Sequence, residues 1–393
     1  MNKHIREITS AALITALMLG AAAGCSEDLG PETLPSTSET TEETVETSEE
    51  PTEETTETSE ETTIGPKSTA IRSERPVDVN GQLKIGDGSI LNKEGEQVQL
   101  RGISSCNIIE CQDFFTDDVI STLGYDWGCD VVRLSFPGDV NDDPEYAKKE
   151  EGFFNSICQM TDALIEQGLY VVIDWHIKEC GDPMQYKDFA VDFFSRISAI
   201  YGDKENIIYE ICNEPSGKHF DDESKDVDWT RIRKYAKAVT AAIRENDPDN
   251  LIICGTPNGC KDIDLVSESP VKGDNICYAV HFNAGADGQE LRDKCDKAIE
   301  DGICIIASEW STTDGTDESD LFLTEASGWL DYLDGKNISW IYSSIGGDGM
   351  KKSDALSPYT ELFTPEEKKD GHWPDDFISD SGLFIKARLA SGT

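Results

Sequence analysis

The chain has 393 residues, enough for a large enzyme core, and carries 78 acidic against 34 basic side chains, a formal net charge of −44. A surface this negative repels phosphate backbones and anionic lipid headgroups, which excludes nucleic acid and an acidic membrane face as partners. It suits a neutral partner such as a polysaccharide.

Residues 1–25 read as an export signal. Lys3 and Arg6 supply the positive start, and Ala11 to Ala23 form an apolar run of small residues and leucines. The run is too short to cross a bilayer as a stable helix. It ends in "AAAGC", where Cys25 is placed as in a bacterial lipobox, with Ala22 at a position more often leucine. A lipid anchor through Cys25 is therefore expected; the alternative is ordinary cleavage and free secretion. Residues 26–75 read as a disordered acidic linker. Between 26 and 66 they hold 14 acidic side chains, no basic one and no aromatic. Such a segment buries too little apolar surface to offset its ordering entropy, and its like charges extend it. It reads as a stalk between the cell envelope and a domain spanning 76–393.

Twelve cysteines are spread along the chain, eleven without Cys25, so complete pairing within one chain is impossible. Cys212, Cys254 and Cys304 lie inside strand-like runs, where a free thiol behaves as a small hydrophobe. Many free thiols in an exported protein fit a reducing or anaerobic habitat. The competing reading has one or two loop disulfides involving Cys106, Cys111 or Cys180. No CxxC pair occurs, and no Cys/His spacing suggests zinc.

From Gly81 the pattern "GQLKIGDGSILNKEGEQVQL" predicts a small hairpin. Eight short β-branched apolar runs follow: 98–104, 130–136, 170–176, 206–214, 251–257, 276–282, 304–310 and 338–344. Near-continuous apolar strands fit a parallel sheet covered on both faces. Segments 151–168, 186–202, 229–246 and 320–336 show apolar residues at helical spacing. This alternation predicts an α/β fold, a (β/α)8 barrel preceded by the hairpin. The alternative is an open doubly wound sheet, which lacks support from any Gly-rich phosphate loop.

Barrel enzymes react at the C-terminal ends of their strands. The polar residues there are Arg133, Trp175-His176, Asn213-Glu214, His281 and Glu309-Trp310. Taken singly, a strand-end histidine or Arg133 has a structural reading. Glu210, deeper in its strand, reads as a support beneath the site. Glu214 and Glu309, on the fourth and seventh strands, form a carboxylate pair across the mouth. Such a pair serves glycoside hydrolysis, and a gap of about 5–5.5 Å implies retention through a covalent intermediate.

"IYEICNEP", "VIDWHI", "YAVHF" and "IASEW" together resemble glycoside hydrolase family five, the retaining cellulase family, and most closely its bacterial endoglucanase branch. "VQLRGISS", "NDPDNLIICGTP", "AGADGQELRD" and "DSGLFIKARL" extend the similarity over about residues 81–390. The resemblance implies Glu214 as general acid/base and Glu309 as nucleophile. It implies that Asn213 holds the substrate 2-hydroxyl, that Arg133 keeps the nucleophile ionised, and that His176 and His281 line the reacting sugar's subsite. Trp175 and Trp310 are taken as substrate-binding; together with Phe136, Trp340 and Tyr342 they read either as replacement sugar platforms or as barrel core, with core favoured for Trp340.

Six positions differ from the family branch. Cys106 stands for a histidine, Glu110 for an aromatic, Pro137 for a tyrosine, Asn283 for a tyrosine near the nucleophile, Ser343 for a tryptophan platform and Asp348 for a lysine. Three readings follow: a retaining endo-β-1,4-glucanase acting on a β-glucan chain; a glycosidase on mixed-linkage glucan, mannan or xyloglucan; and a surface carbohydrate-binding protein with weak or lost catalysis. No cofactor and no metal is expected, and the barrel is expected to act alone as a monomer.

Overall fold

The computed structural model describes residues 71–111, 115–139, 148–177, 181–316, 320–346, 352–356, 369 and 371–392. The expected export signal, Cys25 and the linker up to residue 70 lie outside them. So do Cys180, Asp348 and the Glu110 side chain.

Eight parallel strands close into a barrel: β1 Arg101–Asn107, β2 Val131–Pro137, β3 Tyr170–His176, β4 Ile207–Glu210, β5 Leu251–Cys254, β6 Ile276–Asn283, β7 Ile305–Ser311 and β8 Trp340–Tyr342. Each pairs with the next, and β8 returns to β1 with Trp340 beside Arg101. The eight apolar runs of the sequence are these eight strands, and the open-sheet alternative is excluded by the closure. All seven residues of β2 and all four of β4 and of β5 are buried. Such strands are covered on both faces.

The coverings are helices α1 Glu150–Glu166, α2 Lys187–Tyr201, α3 Trp229–Arg244, α4 Gln289–Glu300, α5 Leu323–Lys336 and α6 Asp380–Ala390. In α1 the buried side chains are Phe153, Phe154, Ile157, Met160, Thr161 and Leu164, one stripe at helical spacing. Asp228 caps α3 by accepting the Arg231 amide, and Ser379 caps α6 by accepting the Gly382 amide. Shorter helical segments stand in place of one long helix after β1 (Ile108–Cys111, Asp117–Ser121 and Thr122–Asp126) and after β5 (Pro257–Cys260 and Ile263–Val266).

The predicted hairpin is present, with Lys84–Gly86 antiparallel to Ser89–Leu91. Its turn places Asp87 at φ 50° and Gly88 at φ 73°, the positive pair of a type I′ turn. Leu83 and Ile90 join Leu100, Tyr170, Val172, Ile208, Ile253 and Ile341 in one apolar cluster. The Tyr170 hydroxyl also donates to the Gly81 carbonyl at 2.6 Å. The hairpin thus plugs the end of the barrel at which strands begin, and the end at which they finish is left for chemistry.

No disulfide joins any two of the ten described cysteines, Cys106 and Cys111 among them. Eight are buried and only Cys106 and Cys158 are half-buried. Burial pushes the Cys254 and Cys295 thiols up to about 12. Of these ten, only Cys106 and Cys158 should therefore label rapidly with a maleimide at pH 7.5. Peptide mapping before and after unfolding checks this; fast native labelling of Cys254 or Cys277 would contradict it.

Candidate active site

Side chains alternate along a strand, so one face of each strand lines the barrel interior. Toward the C-terminal ends those inner positions turn polar. Arg133, Asp174, Glu210, His281 and Ser308 are each 2% exposed or less. Asp174 and Glu210 are register neighbours on β3 and β4, and His281 and Glu309 on β6 and β7.

Arg133 is the hub of this layer. Its Nε donates to Glu210 Oε2 at 2.6 Å, Nη1 to Glu309 Oε2 at 2.9 Å and Nη2 to Asn213 Oδ1 at 2.9 Å, and Nη2 also forms an ion pair with Asp174 Oδ2 at 2.9 Å. One planar fork therefore ties β2, β3, β4 and β7 together. Burial disfavours the Arg133 charge, but Asp174, Glu210 and Glu309 more than offset it and hold the guanidinium above its ordinary pKa. Burial pushes the Glu210 carboxyl up, yet Arg133 and His281 together bring it down to about 2. Asp174 is driven the other way. Burial outweighs Arg133 and His176 there, and its Oδ1 is buried without a hydrogen bond.

Above the hub, His176 sits 2.8 Å from Asp174 through Nδ1 and 3.4 Å from Asn213 Nδ2 through Nε2. Burial opposes charge on His176, but Asp174 raises its pKa above the ordinary value. At the end of β4 the chain turns sharply. Glu214 has φ 38°, an unusual backbone for a residue with a side chain, and Pro215 follows. Gly255, directly after the neighbouring strand β5, makes room for this turn: a Cβ there would meet Cys212 O at 2.4 Å and Pro215 Cδ at 2.8 Å. Glu214 is about a quarter exposed, as is Glu309. His281 Nδ1 lies 3.1 Å from Glu214 Oε1. Burial works against charge on His281, but Cys260 beside it and then the carboxylates of Glu210 and Glu214 raise its pKa well above the ordinary range.

The structure thus brings Arg133, His176, Asn213, Glu214, His281 and Glu309 into one hydrogen-bonded set. It does not bring Trp175 or Trp310 there. Trp175 follows Asp174, so the alternation that turns Asp174 inward turns Trp175 outward. Its ring lies against Phe136 and Phe193 and is 2% exposed. Trp310 is 1% exposed, stacked on Phe282 at 5.3 Å. Phe136, Trp340 and Tyr342 are likewise core. All seven tryptophans of the chain are buried, none above 8% exposure. Asn283, at the family's tyrosine position, turns to β7, where its Oδ1 accepts from Ser311 Oγ at 2.7 Å. Asp174 and Ser308 belong to the set and were not singled out in the sequence. For Asp174 the signal was its position two residues before the strand-end His176; Ser308 had none, because the irregularity between Ala307 and Trp310 breaks the alternation on β7. Among the described residues no cluster of histidine, cysteine or carboxylate side chains could hold a metal ion.

The family model for cellulase (glycosyl hydrolase family 5) matches residues 91–349. The chain belongs to glycosyl hydrolase family 5. The chain is 36% identical over 325 residues to endoglucanase N of Pectobacterium atrosepticum, covering 81% of this chain and 68% of that protein. It is 37% identical to endoglucanase 5 of Pectobacterium carotovorum, covering 81% of this chain and 60% of that protein. The chain therefore spans about two thirds of the length of these relatives. Among solved family 5 structures, the cellulase Cel5C_n superposes with a TM-score of 0.72 at 33% identity, over 81% of this chain and 94% of that one. The catalytic domain of a Thermobifida fusca endoglucanase superposes at 0.71 and 28% identity, over 80% and 99%. A variant of that endoglucanase was solved with cellotetraose.

Proposed function

We propose that this protein is a retaining endo-β-1,4-glucanase, exported and held at the cell surface through its acidic linker, with β-glucan as substrate. The observation that carries the reading is the shared layer under the two rim carboxylates. Glu309 accepts a hydrogen bond from the Arg133 guanidinium at 2.9 Å, while Glu214 lies against His281 at 3.1 Å. Two carboxyl groups held in such different company suit two different roles.

In the first step Glu309 attacks the anomeric carbon. The bond to the departing sugar breaks, and Glu214 gives its proton to the leaving oxygen. In the second, water attacks the glycosyl-enzyme ester, Glu214 takes the water's proton, and Glu309 leaves as a carboxylate. Asn213, fixed by Arg133 at 2.9 Å, is placed for the 2-hydroxyl. The test is hydrolysis of carboxymethyl-cellulose with proton NMR of the first-formed product. A β-anomer supports the reading, and an α-anomer or no cleavage of any β-glucan refutes it.

The buried tryptophans favour a soluble chain as the working substrate. A sugar platform works by burying a flat apolar ring face, and losing one costs about 1.5–3 kcal/mol, or roughly 10–100-fold in affinity. Release of reducing ends from soluble mixed-linkage or carboxymethylated glucan should exceed that from microcrystalline cellulose by at least about tenfold. Equal rates on the two would show that stacking is supplied elsewhere.

A further inference from the structure

Ser308 lies fully buried on β7, directly before Glu309, and the double displacement set out above leaves it without a task. Its hydroxyl bridges two groups. Oγ is 2.7 Å from Glu210 Oε1 and 2.9 Å from His281 Nε2. Glu210 is an ionised acceptor gripped by Arg133 at 2.6 Å, so the single Ser308 hydrogen is donated to it. What Oγ then offers His281 is a lone pair, and a lone pair at 2.9 Å calls for a hydrogen on Nε2. The other ring nitrogen, Nδ1, faces Glu214 Oε1 at 3.1 Å. Two bare acceptors at that distance repel, and one proton between them makes a hydrogen bond.

We propose that Ser308 is a positioning residue for the acid/base: bridging Glu210 and His281, it fixes hydrogen on Nε2 and holds the ring so that Nδ1 and Glu214 share the one proton used in turnover. This rests on the assignment of Glu214 as acid/base. In the first step the glycosidic bond breaks, its electron pair takes the shared proton, and Glu309 forms the ester. In the second, water forms the new bond to the anomeric carbon and the ester breaks. Its electron pair returns to Glu309, and the water's proton restores the shared one.

Distances explain why Glu210 alone cannot do this. His281 Nε2 is 3.6 Å from Glu210 Oε1, beyond hydrogen-bond reach. Without the hydroxyl, the ring either leaves its Nε2 hydrogen unpaired or slides toward Glu210 and away from Glu214. Cys260 also faces the ring, but burial pushes its thiol up to about 11, so it stays neutral at working pH. The nucleophile is untouched in either case, because Arg133 holds Glu309 directly.

The test compares wild type, Ser308→Ala and Ser308→Thr on two substrates. One is a soluble β-glucan, whose leaving sugar needs a proton. The other is a dinitrophenyl β-cellobioside, whose leaving group needs none. Positioned proton transfer contributes about 10²–10⁴-fold, so Ser308→Ala should lose at least about tenfold in kcat/KM on the glucan. On the dinitrophenyl substrate it should stay within about threefold of wild type. Ser308→Thr, which keeps a hydroxyl, should restore the glucan rate. Equal losses on both substrates would show a merely structural role and overturn the proposal, as would no loss on either. A wild type that cleaves neither substrate would overturn the glucanase reading and this proposal with it.

Discussion

Glu309→Gln should lower turnover on soluble β-glucan by about 10⁴-fold or more while the far-UV circular dichroism stays that of wild type. The variant keeps the shape of the side chain and removes the charge that the proposed mechanism uses to attack the anomeric carbon. It should lose the dinitrophenyl substrate as well, since formation of the ester needs the nucleophile whatever the leaving group. Glu214→Gln should separate the two roles. It should fall by a similar factor on glucan, yet still show a burst of dinitrophenolate as the ester forms and then persists without a base. Wild-type-like activity in either variant would refute the assignment.

Arg133→Ala should be the most damaging single change to both stability and activity. Arg133 is 1% exposed and carries ion pairs to Asp174, Glu210 and Glu309, the first two fully buried. Removing it strands buried charge, and breaking a buried pair from one side costs about 3–5 kcal/mol. Urea unfolding should show that loss with little change in slope, and activity should fall with it because Glu309 and Asn213 both lose their anchor. A pH series gives the same information from the other partner. The Glu210 carboxyl is held at about 2, below its ordinary 4.5. Its folded-state value is lower than its unfolded one, so its contribution is complete above about pH 5. That contribution, on the order of 3 kcal/mol, is lost as pH falls through 4.5 toward 2. Wild type should therefore lose stability steeply across that window. Arg133→Ala should show a shallower dependence there, because Glu210 has lost its largest reason to ionise. A parallel pair of curves would contradict the hub.

Much of this was legible in the sequence. Each barrel strand is a continuous apolar run, and eight of them separated by helical stretches leave few architectures. Glu214 and Glu309 were visible because carboxylates at the ends of such runs have no packing reason to be there. Trp175 and Trp310 show where reading by proximity fails. Both sit beside site residues in the chain, but a strand sends neighbours to opposite faces, and tertiary packing against Phe193 and Phe282 claims them for the core. The same rule, followed along 133, 174, 210 and 281, would have placed Asp174 on the inner face; on β7 the irregularity between Ala307 and Trp310 breaks the alternation and lets the neighbours Ser308 and Glu309 both join the site. The Ser308 bridge itself depends on distances of a few tenths of an ångström, which no spacing pattern encodes. At Asn283 and Ser343 the departure from the family was legible without its consequence; the structure supplies one for Asn283, which pairs with Ser311.

In the proposed double displacement Glu309 forms a covalent bond to the anomeric carbon of a β-glucosyl unit. Incubation with a 2-deoxy-2-fluoro β-cellobioside carrying a dinitrophenyl leaving group traps that ester, and digestion with mass spectrometry locates it. One label per chain on the peptide carrying Glu309, released on prolonged incubation with an acceptor sugar, is the predicted result. A label on Glu214 or any other residue, or an active enzyme that takes no label, would contradict it.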